Sequence, residues 1–173
     1  MLDLILSVPD HEDQNTVELL QKCLEIKDAG FFKKEQLLKI LNWKSPRPIK
    51  FYNSNSEKEI REITRYAFVS KNENLKIHIL TALKGVNYPA ASAILMFHDK
   101  RKYPVLDIRV WRQLYKAKLV DANPKGRNFT LGQWETYLKV IRELAAGAKL
   151  TARQVEKRLF DYDTRTQIGK LYI

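Results

Sequence analysis

The sequence holds one cysteine, Cys23, in 173 residues. That excludes an internal disulfide, a four-cysteine zinc site and an all-cysteine iron–sulfur cluster built by this chain. Long hydrophobic runs are missing as well. No stretch approaches the roughly 20 apolar residues of a membrane-spanning helix, so no membrane partner is expected. The opening MLDLILSVPDHEDQ is short and carries acids where a secretory signal needs a basic flank, so secretion is not expected either. Histidines are few, and neither His78 nor His98 has metal-ligand spacing, so no metal site is expected. Clean alternation of apolar and polar residues is absent beyond a few positions, which argues against a sheet. No repeat or low-complexity tract stands out.

What is present is enough apolar residue, 45%, to fill the core of one domain, and an excess of positive charge. The formal charge is +11, from 31 Lys and Arg against 20 Asp and Glu. It is unevenly placed. Residues 1–86 are nearly balanced, whereas 84–127 hold ten cations against only Asp99, Asp107 and Asp121. Such a segment fits contact with phosphates, and equally a solvated face that keeps the protein in solution.

The periodicity is helical almost throughout, which predicts an all-α protein of about eight helices. They are expected at about 16–27, 33–43, from 57 onward, 73–84, 88–97, 108–118, from 131 onward and from 152 onward. Asn15, with Glu18 to answer it, is the expected cap of the first. Ser56 with Glu59 and Thr151 with Gln154 form capping-box patterns. Ser45-Pro46-Arg47-Pro48 stops the second helix. Ile60, Ile63, Tyr66 and Ala67 are expected to face inward from the third, and Trp134, Leu138, Ile141 and Ala145 from the seventh.

Two helical patterns meet across Gly85-Val86-Asn87. Gly85 suits a helix end with positive φ, Asn87 tolerates that region or caps the next helix, and Pro89 fits a first turn. With Ala91 and Ile94, this segment resembles the helix-hairpin-helix motif, with Asn87 in place of its second glycine. An ordinary glycine-turned helix pair has the same pattern. Eighteen residues beyond Pro89, Pro104-Val105-Leu106-Asp107-Ile108-Arg109-Val110 is similar to the segment that carries the catalytic aspartate of the HhH-GPD superfamily of DNA glycosylases. It is nearer to the adenine glycosylase branch than to the endonuclease III branch. Over about 73–118 the resemblance is specific; over the flanking helices it is loose.

The resemblance implies a compact two-lobed unit, one lobe at about 31–104 and the other at about 1–30 plus 105–173. It implies a monomer that binds double-stranded DNA, in the cytoplasm with the nucleoid or in a nucleus. Lys84, Gly85, Val86, Asn87, Tyr88, Ala91, Arg109 and Arg112 are the implied DNA-binding residues, with a monovalent cation bridging hairpin carbonyls to phosphate. Asp107 is the implied catalytic residue, stabilising an oxocarbenium-like state and orienting or deprotonating water. It is also a good helix N-cap. Arg109 can pair with it or contact DNA. Trp43, Tyr66 and Trp111 are candidates for a base pocket, and each is also a normal core residue. Trp43-Lys44-Ser45-Pro46-Arg47 can line a mouth facing DNA or simply end a helix. Relatives that cleave the strand use a hairpin lysine as nucleophile; that position is Pro89 here, which predicts a monofunctional N-glycosylase. No iron–sulfur cluster or other cofactor is expected. Glu35, in an early helix, has no motif that marks it as a second acid. The competing functions are a non-catalytic DNA-binding module of the same fold and a helical protein-interaction domain.

Overall fold

The computed structural model describes residues 1–24 and 29–168. Among these residues it contains ten α-helices and no strand. They are α1 (Leu2–Ser7), α2 (Gln14–Leu24), α3 (Lys34–Lys44), α4 (Ile49–Asn53), α5 (Glu57–Val69), α6 (Glu73–Leu80), α7 (Tyr88–His98), α8 (Ile108–Lys116), α9 (Leu131–Ala148) and α10 (Ala152–Thr166). The predicted end of the first long helix, at Lys27, lies outside the described residues.

Helix limits follow local chemistry. Ser56 and Glu59 close a reciprocal capping box on α5, and Thr151 and Gln154 do so on α10. Helix α2 is capped by Asp13, not Asn15: its carboxylate accepts from the Thr16 amide at 3.0 Å and the Thr16 hydroxyl at 2.6 Å. Helix α6 stops at Leu80 rather than Lys84, because the chain tightens into three-residue turns, with Ala82 N–H donating to Ile79 and Leu83 N–H to Leu80. The Pro46–Pro48 segment does end α3. It also opens the single turn α4, since Pro48 needs no amide partner there.

The core runs unbroken through the molecule. Helix α7 is its axis: every residue from Ala90 to Phe97 is buried. Helices α2, α3 and α6 pack on α7, and α5 lies on α6. Helix α10 packs on α8, α9 and α1. The α9 stripe is buried as its spacing predicts. On α5, Ile60 and Ala67 are buried, but Tyr66 is 64% exposed and points out of the core.

The hairpin joins α6 to α7. Gly85 has φ +84°, and a Cβ there would lie 2.8 Å from Cβ of Phe51 and 3.1 Å from the Tyr52 ring. Asn87 has φ −100° and serves as the α7 cap, accepting from Ala90 N–H at 3.1 Å; positive φ is needed only at Gly85. Asn55, which no sequence pattern marks, is buried and clamps the turn. It accepts from Lys84 N–H at 2.8 Å and donates to the Lys84 carbonyl at 3.1 Å. Gly85→Ala is therefore expected to lose roughly 2–4 kcal/mol of stability, from left-handed strain and overpacking together. Thermal unfolding checks it; an unchanged midpoint would mean α4 does not support the hairpin.

Candidate active site

Asp107 is the N-cap of α8, and its Oδ1 accepts from Arg109 N–H at 3.0 Å. The segment before it is pinned from three helices. Leu106 N–H donates to Ser92 Oγ of α7 at 2.8 Å. Val105 N–H donates to Glu156 Oε2 of α10 at 3.3 Å, and the Tyr137 hydroxyl of α9 donates to the Val105 carbonyl at 2.7 Å. Asp107 thus stands where the hairpin's second helix meets α10.

Its carboxylate opens into a cleft of about 270 Å³. The walls include Trp43 and Lys44 from the end of α3, Phe160, Arg153, Glu156 and Lys157 from α10, and Asp13. A second cavity, about 720 Å³, shares Arg153 and Lys157 as walls. Trp43 is held from three sides. Its Nε1–H donates to Thr16 Oγ1 at 2.8 Å, Phe97 meets it edge-on at 5.0 Å, and the Arg153 guanidinium lies 5.5 Å from its ring.

The partner of Asp107 is Lys44, whose Nζ donates to Oδ2 at 2.7 Å. Both side chains are about one-sixth exposed, at 14% and 18%. Arg109 does not pair with Asp107. Its Nη1 donates to buried Asp163 at 3.0 Å and to Gln167 at 2.5 Å, and the guanidinium lies over Phe160. Burial by itself would raise the Asp107 carboxyl. The charge and hydrogen bond of Lys44, the Arg109 amide and the Arg109 charge outweigh it and hold the group below the usual carboxylate range.

Glu156 shares the cleft and goes the other way. Burial raises its carboxyl, against the opposing charge of Arg153. Its Oε2 takes both the Val105 amide and Arg153 Nη1. The cleft therefore holds two carboxyls shifted in opposite directions, Asp107 lowered with Lys44 as its partner and Glu156 raised by burial against Arg153. Cys23 is no candidate nucleophile: it is buried, and its thiol is pushed up to about 12.

The other expected site residues separate into groups. Lys84, Gly85 and Asn87 are exposed on the hairpin, and Tyr88 is half-buried with its hydroxyl 3.0 Å from His78 Nδ1. Val86 and Ala91 are buried and shape the hairpin from inside. Arg112 is half-buried on α8. Of the three aromatic candidates, only Trp43 lines the cleft. Trp111 is 1% exposed, packs against Phe129 and Tyr137, and donates its Nε1–H to the Asn123 carbonyl. Tyr66 lies on the exposed side of α5. Glu35 is exposed and pairs with Lys39. The carbonyls of Leu83 and Lys84 accept from Val86 N–H and Asn55, and each keeps a second lone pair that a bridging cation could use. Among the described residues no cluster of His, Cys, Asp and Glu could hold a metal ion, and no helix is long and apolar enough to cross a membrane.

No family model matches the sequence, and no curated protein is similar to it at a significant level. Among solved structures, the chain is similar to the Methanocaldococcus jannaschii 8-oxoguanine glycosylase/lyase, crystallised with a 15mer DNA containing 8-oxoguanine. The TM-score is 0.55 at 16% identity, over 97% of this chain and 80% of that one. The likeness is one of fold: the ten helices here follow the helical arrangement of a DNA glycosylase.

Proposed function

We propose that the protein binds double-stranded DNA and excises an altered or mispaired base. The observation that carries this is the Asp107 carboxylate, ionised and opening into an aromatic-walled cleft within the fold of a DNA glycosylase. The exposed hairpin supports the docking half of the proposal. The Gly85, Asn87 and Tyr88 amides and the positive end of α7 would take a phosphate, with a monovalent cation on the Leu83 and Lys84 carbonyls lowering the charge repulsion around it. The base would leave the duplex and enter beside Trp43, with sugar C1′ near Asp107. A fixed negative charge there stabilises the oxocarbenium-like state.

Pro89 removes the hairpin as a source of an amine nucleophile. On that ground the reaction is hydrolytic and monofunctional, leaving an abasic site without cleaving the strand. The Lys44–Asp107 pair also suits a non-catalytic DNA-binding module, in which the aspartate would only cap α8 and hold α3.

A panel of duplexes with oxidised, deaminated, alkylated and mispaired bases, each treated with hot alkali after incubation, tests both. Product is expected from the parent protein on at least one duplex. Asp107→Asn should lower the rate by about 10²–10⁴, the usual worth of a positioned acid–base group. Asparagine caps a helix as well as aspartate does, so the fold should persist. An undiminished rate in Asp107→Asn, or no product from any duplex, overturns the enzymatic proposal and leaves the binding module.

A further inference from the structure

One polar side chain is buried in α7, and it lies between the hairpin and the aspartate. Ser92 has no exposed surface, and its helix neighbours from Ala90 to Phe97 are otherwise apolar. A hydroxyl in such surroundings is costly unless its hydrogen-bonding capacity is used. Ser92 uses it in both directions. Its Oγ–H donates to the Pro89 carbonyl at 2.7 Å, in the first turn beyond the hairpin. The same Oγ accepts from Leu106 N–H at 2.8 Å. Leu106 is fully buried and directly precedes Asp107, so Ser92 keeps a core amide from being left unpaired. Two hydrogen bonds through one oxygen thus connect the first turn of α7 to the residue before Asp107. The other anchors of this segment, Tyr137 and Glu156, hold Val105 from α9 and α10. Of the three, Ser92 alone belongs to the hairpin's second helix.

We propose that Ser92 is a positioning residue for base excision, fixing the Asp107 carboxylate relative to the DNA backbone docked on the hairpin. This rests on the cleft being the base-excision site. Docking and chemistry belong to separate segments, 84–88 and 104–107, and the sugar must meet both at once. The hairpin groups offered to phosphate are the Gly85, Asn87 and Tyr88 amides, the positive end of α7 and the Lys84 side chain. Ser92 is none of these and lies out of reach of DNA in the core. Removing its hydroxyl leaves those groups in place. It releases the Leu106 peptide, which turns toward another acceptor and carries Asp107 with it. A displacement of about 1 Å at a reacting group costs on the order of 10²-fold in rate. Ser92 therefore acts on how fast bound DNA reacts, and not on how tightly it binds.

Single-turnover excision tests this, on a duplex of the oxidised, deaminated, alkylated and mispaired panel that yields product from the parent. Affinity is followed in parallel by anisotropy with a duplex carrying a tetrahydrofuran abasic analogue, which does not react. Ser92→Ala should fold, because alanine removes a single oxygen and has the higher helix propensity. Its rate constant at saturating protein should fall about 10–100-fold, with affinity within about twofold of the parent's. Ser92→Thr keeps a hydroxyl that can bond the carbonyl three residues back and accept from Leu106, so it should recover most of the rate. All are compared at a temperature where circular dichroism shows each fully folded, so lost stability alone does not lower the rate. If Ser92→Ala does not fold, Ser92→Cys takes its place with the same expected split, since sulfur is only a weak acceptor and donor. A parent-like rate in the variant lacking the hydroxyl overturns the proposal, as does a loss of affinity as large as the loss of rate. A folded Ser92→Thr as slow as Ser92→Ala overturns it too. Each of these leaves base excision by Asp107 standing. No product from the parent on any duplex removes the excision proposal and this one with it.

Discussion

Arg153→Met should lower the stability of the protein by about 3–5 kcal/mol, the cost of removing one partner from a buried ion pair. Arg153 is 5% exposed, and its Nε and Nη2 grip both oxygens of Glu12 at 2.8 Å while Nη1 meets Glu156. The three groups tie the segment before α2 to α10 and support Trp43, so the loss falls on the cleft as well as on the fold. For a chain of this length that corresponds to a melting midpoint lower by roughly 6–20 °C. The effect should depend on pH in a definite sense. Burial raises the Glu156 carboxyl, and Arg153 opposes it. A carboxyl raised in the folded state favours folding when protonated. Its contribution is complete below the unfolded value and is lost as pH rises through the folded value. Removing Arg153 pushes that folded value higher, so the variant's deficit should be larger at pH 7 than at pH 5. Adding Glu156→Leu should recover part of it, because the buried charge is removed while the Val105 amide and Glu12 still lose their partners. A deficit that is independent of pH would mean that Arg153 acts through packing on Trp43 alone.

The parts of the molecule visible in the sequence are those whose physics is local. Gly85, Asn87 and Pro89 mark a hairpin because each constrains its own backbone, and Asp107 marks a helix start because a cap needs only the next two residues. Tyr66 fails for the opposite reason. It fits the apolar period of α5, yet that helix is covered only along Ile60, Thr64 and Ala67, and no periodicity reveals how wide the covered strip is. Trp111 and Trp43 are alike as aromatics in sequence. Only packing puts one between Phe129 and Tyr137 and the other on the cleft wall. The least legible contacts are the ones that matter most for chemistry. Lys44 meets Asp107 across 63 positions and Glu156 meets Val105 across 51. The sequence suggests Arg109 as the partner of Asp107 because it is two residues away. A helix carries consecutive side chains around its circumference, so Arg109 turns to Asp163 on α10, and the cation beside Asp107 comes from α3.

Affinity for duplex DNA should fall about a thousandfold between 50 and 200 mM salt if six cations sit on phosphates, a log–log slope near −5. Lys84, Lys100, Arg101, Lys116, Lys118 and Lys125 are exposed and placed to meet phosphates, and exposed Lys102 pairs with Asp99 at 3.5 Å. Arg109 is not of this kind, because it is committed to Asp163. Its replacement should alter stability more than the salt slope. Lys84 is the sharpest single probe. It adjoins the hairpin turn, and its backbone is fixed by Asn55 whatever its side chain is, so Lys84→Ala leaves the turn in place. That variant should lose close to 0.9 from the slope and weaken binding evenly across sequences, as expected of a phosphate contact. Gly85→Ala differs: it displaces backbone amides rather than a cation, so affinity should fall while the slope stays near the parent's. A parent slope no steeper than about −2 would mean that the basic stretch at 84–127 is mainly a solvated face. A normal slope that Lys84→Ala leaves untouched would place the DNA elsewhere on the molecule, away from the hairpin and from Asp107.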